Sequence, residues 1–221
     1  MNERKLLLAA GAALWLVGRN LPSALLALFP SLWRAAETED DGSLDPENEP
    51  AMEKVVEALH GLGFEKLGAI QLGPPLGRAQ AELVYGAREL NTFADLDGQD
   101  GAARVTLFTP FEGGEAVLTS DYSRAGRNDA DVLIGGLPAH DVAGLWAAHR
   151  RRVAQLAEGP LKVVPWGDIT LAGRVAAERR FYTGAGKRLL RSRGFFPALM
   201  LVTAVLFTVL ATLQFVKLHQ G

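Results

Sequence analysis

His149 stands seven residues after Val142 and four before Val153, on what reads as the apolar stripe of a helix. An imidazole so placed titrates, binds a ligand, or is hydrogen-bonded at the rim of a core, and the last is the commonest fate of a histidine on an apolar face. His140-Asp141 opens the same helix, where Asp141 complements the positive end of the dipole and caps it. His60 lies beside a helix stop. No two histidines stand four apart with a third ligand nearby, so the spacing offers no zinc site. The chain has no cysteine, which removes disulfides, thiol nucleophiles and thiolate metal sites.

Other patterns begin like known chemistry and then depart from it. Asp95-Leu96-Asp97-Gly98-Gln99-Asp100-Gly101 has the oxygen donors and glycines of a calcium loop, but Thr106 occupies the twelfth position, where a bidentate Glu is required. The segment reads as a polar turn between strands. Thr183-Gly184-Ala185-Gly186-Lys187 resembles part of a phosphate loop, yet Phe181 replaces its first glycine and Arg188 its Ser/Thr. There is no Gly-x-Ser-x-Gly, and Ser120-Asp121 has no positioned base. The residues imply no cofactor and no metal, and the reading leans away from an enzyme.

These side chains need elements to hold them. Met52, Val55, Val56 and Leu59 recur at helical spacing, and Gly61 and Gly63 stop that helix. The period then becomes two. Lys66–Leu72, Gln80–Tyr85 and Asn91–Leu96 read as strands, while Arg104–Thr109 and Glu115–Ser120 flank Glu112-Gly113-Gly114 as a hairpin. A polar loop, Asp121–Asp131, leads to an amphipathic helix from His140 to Ala157, with Val142, Leu145, Trp146, His149, Val153 and Leu156 on its stripe. Leu161–Leu171 reads as a last strand and Arg174–Leu190 as a helix. The order predicts an α+β domain, one antiparallel sheet of about four to six strands covered on one face by amphipathic helices.

Leu62-Gly63-Phe64, Thr109-Pro110-Phe111-Glu112-Gly113, Thr119-Ser120-Asp121 and the Trp146/His149 helix follow one another in this domain. Together they resemble a loose set of uncharacterised bacterial membrane-anchored proteins with an LGF helix end, a T-x-F-x-x-G hairpin, a TS-(N/D) strand end and a Trp/His-bearing helix. That resemblance implies a recurring α+β domain and no defined activity.

The ends of the chain speak of a membrane. Phe195–Leu213 is uncharged and the tract stays apolar to Val216, enough at ~1.5 Å per residue to span a ~30 Å hydrocarbon core. Lys187, Arg188, Arg191 and Arg193 precede it, against Lys217 and His219 after it, so the domain side is expected to be cytoplasmic and the four cations to sit at the lipid headgroups. Ala204, Thr208 and Thr212 place small side chains every four residues, the pattern of a helix-packing face. Leu6–Gly18 and Leu21–Trp33 are shorter apolar tracts broken at Arg19-Asn20, expected to form a short helix and an interfacial or re-entrant segment. A cleaved signal is the rival reading, in which the domain is exported. The expected organisation is an N-terminal membrane segment (1–36), an acidic linker (37–50), the α+β domain (51–182), a basic juxtamembrane hinge (183–194) and a transmembrane helix (195–216).

The net charge of −2 hides a polarity. Ala35 to His149 holds 21 acidic residues against seven Lys and Arg, whereas Arg150 to Arg193 holds three against 11. The basic excess suits an anionic lipid surface, and Arg150-Arg151-Arg152 also suits the end of a helix. The acidic half would repel a nucleic acid. These features lead to a non-enzymatic, membrane-anchored interaction protein, a scaffold or accessory subunit at a bacterial inner membrane. Its expected partners are lipids and a membrane protein or a second copy. The alternative is a membrane-tethered hydrolase or ligand-binding sensor with a His149-centred cleft.

Overall fold

The computed structural model describes residues 3–38, 49–73, 79–99, 102–123, 126–128, 132–138 and 141–220. Most of the expected acidic linker, and His140, lie outside the described residues. In chain order, helix α1 (Glu3–Leu28) is followed by strand β1 (Arg34–Thr38) and helix α2 (Glu49–Gly61). Then come β2 (Phe64–Gly73), β3 (Gln80–Ala87), β4 (Thr92–Gln99), β5 (Ala102–Pro110), β6 (Ala116–Ser120), β7 (Arg127–Asn128) and β8 (Val132–Gly136). Helices α3 (Val142–Ala157), α4 (Leu171–Thr183) and α5 (Lys187–Gln220) complete the chain. The sheet with α2, α3 and α4 makes one unit, and α1 with α5 the other.

The fold is α+β. Its sheet has eight strands in the order β1-β2-β3-β4-β5-β6-β8-β7, antiparallel except where β8 lies parallel to β6. The expectation of four to six antiparallel strands is therefore corrected to a larger, mixed sheet. The extra strands are ones with little alternation: β1 is a short edge of Arg-Ala-Ala-Glu-Thr, β7 has two residues, and β8 is the apolar run Val132-Leu133-Ile134 ending in two glycines. β7 lies inside what reads as a polar loop.

Coverage also differs from expectation, because helices lie on both faces. Register sets Leu83 opposite Leu96, and Leu96 opposite Val105, on the face that α2 and α3 cover with Met52, Leu59, Leu145 and Trp146. On the other face Phe93 pairs with Phe108, their rings 6.4 Å apart, and Phe181 of α4 meets Phe108 edge-on at 6.0 Å. A strand buried on both sides loses its polar alternation, so residues 92–96 are all buried. Gly63, at φ +84°, turns the chain from α2 into β2 in a conformation that side-chain-bearing residues rarely adopt. The expected strand at 161–171 is not formed. Val163 makes an isolated bridge to Phe111, and Trp166–Asp168 is a single 3₁₀ turn leading into α4.

In the other unit one helix, α1, covers the first N-terminal tract and runs through the second as far as Leu28, and Pro30–Leu32 adds a 3₁₀ turn. Pro22 and Asn20 are absorbed within α1, and Asn20 donates to the Leu16 carbonyl at 2.8 Å. α5 begins at Lys187, so the basic residues lie on the helix itself and the hinge shrinks to the turn 184–186. Gly194 faces α1: a Cβ there would collide with Ala27 and with the carbonyl oxygen of Ser23. Ser23 and Ala27, late in α1, thus meet Gly194, early in α5, and because the two helices pack along much of their lengths they run antiparallel. Gly194→Leu should lower the thermal midpoint of the helical signal in detergent micelles, by an overpacking cost of about 1–3 kcal/mol. Leu199→Ala, at an exposed position, should leave it unchanged.

Candidate functional site

His149 is fully buried, and both its ring nitrogens are used. Nε2 lies 2.8 Å from Thr109 Oγ1 and Nδ1 3.0 Å from Thr119 Oγ1. α3 delivers the ring from above, and β5 and β6 supply the hydroxyls from the sheet. Thr109 in turn lies 2.6 Å from Thr92 Oγ1, which donates to the Leu90 carbonyl, and Arg152 Nη1 donates to Thr119 Oγ1 at 3.2 Å. With the Thr92 proton committed to Leu90, Thr109 donates to Thr92 and His149 Nε2–H donates to Thr109. Nδ1 then accepts from Thr119. This is one consistent order of protons, and it goes with a neutral imidazole. Burial, then the nearby Arg152 charge, lowers the His149 pKa to about 3. The ring also stacks on Trp146, with centroids 5.9 Å apart. The His149 ring is wholly enclosed within this network.

The opposite face holds a denser cluster. Arg174 of α4 is 2% exposed, and grips Asp95 of β4 through Nε at 2.9 Å and Nη2 at 2.6 Å. Its Nη1 donates to Glu178, one helical turn on, at 2.7 Å. The guanidinium plane lies over Phe108, 4.4 Å from the ring centroid. Burial alone would weaken its hold on the proton, but Asp95 and Glu178 more than reverse this, so it stays charged. The surrounding strands bring further acids. Burial, reinforced by Asp95 and opposed by Arg174, raises the Glu82 carboxyl well above its usual range. Asp97 is raised too, chiefly by burial. Its Oδ2 accepts from Gln80 Nε2 at 2.9 Å, whereas its buried Oδ1 has no hydrogen-bond partner.

No family model, curated protein or solved structure matches the chain. Function is therefore read from its own side chains.

The residues singled out by spacing are scattered. Lys187, Arg188 and Arg191 occupy the first turns of α5, Lys187 half-buried and the other two exposed; Arg193 is on the same helix. Ala204 is buried, but Thr208 and Thr212 are exposed and bond back to the Ala204 and Thr208 carbonyls at 2.8 Å. Gly194 is a small residue at the contact with α1. His60 is exposed and meets Tyr85 edge-on. Asp95 and Asp97 are strand residues of β4. Ser120 is buried, its hydroxyl 3.0 Å from Thr106 Oγ1. Arg150–Arg152 sit within α3 rather than at its end: Arg150 pairs with Glu89 at 2.9 Å at the surface, and Arg152 holds the His149 network. Among the described residues no group of three His, Cys, Asp or Glu is placed to hold a metal.

The Arg174 cluster escaped sequence reading, although its signal is present. Leu171, Arg174, Val175, Glu178, Phe181 and Tyr182 fall on one helical stripe, so two opposite charges at i and i+4 interrupt an apolar face. Phe93, Asp95 and Asp97 alternate likewise along one side of β4.

Proposed function

We propose that this chain is a non-enzymatic interaction protein anchored in a bacterial inner membrane by the α1–α5 helix pair, with its sheet unit presented to a partner on the cytoplasmic side. The observation that carries the reading is the character of α5. Residues Lys187–Leu210 are long and apolar enough to cross a membrane, and side chains such as Phe195, Phe196, Leu206 and Leu210 point outward. The same helix opens with cations and has no acidic residue in its first turn. Cations are disfavoured at the positive end of a helix, so this opening asks for an external anion, which phospholipid headgroups supply. In the sheet unit, His149 and Arg174 are both spent on internal pairing, which favours a scaffold over a catalyst built on His149.

Two measurements test this. With the antiparallel pair spanning together, cysteines at Asn2 and Gly221 should react with an impermeant reagent in intact cells, and one at Asp41 should not. The reverse pattern means that the domain is exported. In gently solubilised membranes a stoichiometric partner should co-purify and be lost when exposed charges such as Glu53, Glu57, Arg150 and Arg151 become alanine. If replacement across the exposed surface releases nothing, the interaction role is wrong.

A further inference from the structure

On the α4 side of the sheet, beside the turn from β5 to β6, lies a cavity of about 390 Å³. It is separate from the His149 network, which faces α3. Phe93, Pro110, Phe111 and Val164 give it apolar walls, and Glu115, Asp168 and Arg180 bring charge to its lining. Glu115 is the informative member. Its Oε2 is buried and has no hydrogen-bond partner. Folded proteins rarely leave a buried carboxylate oxygen without a donor, and the exceptions call for a group that supplies one.

The carboxylate lies against the β5–β6 turn. A Cβ at Gly113 would come within 2.5 Å of Glu115 Oε1 and 2.6 Å of Oε2, so the turn is cut back to glycine where the carboxylate folds over it. Gly114, at φ +95°, lies under the stem of Arg180. Arg180 is turned to the backbone instead, where its Nη1 donates to the Glu112 carbonyl at 3.2 Å. The start of α4 also lines the cavity, but the Gly173 amide already donates to Thr170 Oγ1 at 3.0 Å. Two carboxylates and one guanidinium already engaged by a carbonyl therefore line the cavity, a balance that favours a cation over an anion.

We propose that this cavity binds a small organic amine, its ammonium pairing with the Glu115 carboxylate and its compact apolar body lying against Phe93, Phe111 and Val164. A polar anchor within an apolar lining is the usual construction of a small-molecule site. The assignment does not depend on the anchoring or partner reading above.

The test uses the full chain in detergent micelles, titrated calorimetrically with benzylamine, neutral benzyl alcohol and anionic benzoate. Benzylamine should bind with a dissociation constant on the order of 1 mM, as suits a ligand of about eight heavy atoms. Benzyl alcohol and benzoate should bind at least about tenfold more weakly, and Glu115→Gln should weaken benzylamine to a similar extent. Ala176→Phe, at an exposed α4 position lining the cavity, should abolish binding while leaving Glu115 in place. Partition into micelles is the same for every variant and is subtracted. Three outcomes overturn the proposal: no benzylamine binding by the parent up to about 20 mM, equal binding of benzylamine and benzyl alcohol, or full binding by Glu115→Gln. If Glu115→Gln fails to fold, Ala176→Phe and the benzyl alcohol comparison decide the matter.

Discussion

Arg174→Met should destabilise the sheet unit by about 3–5 kcal/mol, the usual cost of removing one partner from a buried ion pair. The methionine fills much of the arginine's volume against Phe93 and Phe108, so the loss is electrostatic rather than a cavity effect. Asp95 and Glu178 would be left buried with no cation between them, beside Glu82 and Asp97. The sign with pH follows. Acid protonates the stranded carboxyls, so the deficit relative to the parent should shrink as pH falls from 7 to about 4. Replacing all three members, as Arg174→Met with Asp95→Leu and Glu178→Leu, should recover most of the loss, because an apolar trio has no charge to desolvate. Urea midpoints followed by near-ultraviolet circular dichroism measure each case. A single-variant loss under about 1 kcal/mol would mean that water reaches the carboxylates.

The second large effect belongs to His149. Folded, its pKa is about 3, and in the unfolded chain it returns to the ordinary value near 6.5. Between those values the unfolded state takes up a proton that the folded state refuses. Stability from this residue is therefore full above about pH 6.5 and is lost as pH falls towards 3, at about 1 kcal/mol per pH unit and several kcal/mol in all. His149→Gln keeps an N–H for Thr109 but does not titrate. It should cost stability at pH 7 and show a flatter decline in acid. Glu82 works in the opposite direction: its raised pKa makes it a source of instability as pH rises above the ordinary carboxyl range. The difference between parent and His149→Gln isolates the imidazole. Parallel curves for the two proteins would show that His149 is solvated or already charged.

Regular periodicity carried most of the fold that could be read in advance. α2, α3, the strands from β2 to β6 and the glycine turn between β5 and β6 lie where alternation, helical spacing and breakers put them, except that β4 runs on to Gln99 through what reads as a polar turn. Legibility failed where tertiary pairing overrides local pattern. β1 is a strand because Leu72 and Ile70 of β2 lie opposite Ala35 and Glu37, and its edge is tended by Arg179, which donates to the Ala35 carbonyl at 2.7 Å. Nothing in Arg34–Thr38 alone announces this. β8 had a signal, a short apolar run after a polar stretch, but its parallel partner β6 is separated from it by a crossover that sequence does not describe. At the level of sites, His149 was visible as a polar residue on an apolar stripe, and its buried, satisfied state is the ordinary outcome for such a residue. Arg174 and Glu178 obey the same rule on α4. The Glu115 cavity was hidden, since it depends on how α4 approaches the β5–β6 turn.

The sheet unit is strung between α1 and α5, so each of its ends continues into a different member of the helix pair. Cutting the backbone once in the connection from β6 to β8 would yield two polypeptides, one bearing α1 with β1 to β6 and the other bearing β8, α3, α4 and α5. Neither would be shed. The Gly194 contact would hold the halves together within the helix pair, and the β6–β8 ladder and the His149 network would zip them within the sheet unit. The architecture thus makes a natural split protein: co-expressed halves should find each other in the same way, and a protease that nicks this loop would leave the assembled form standing.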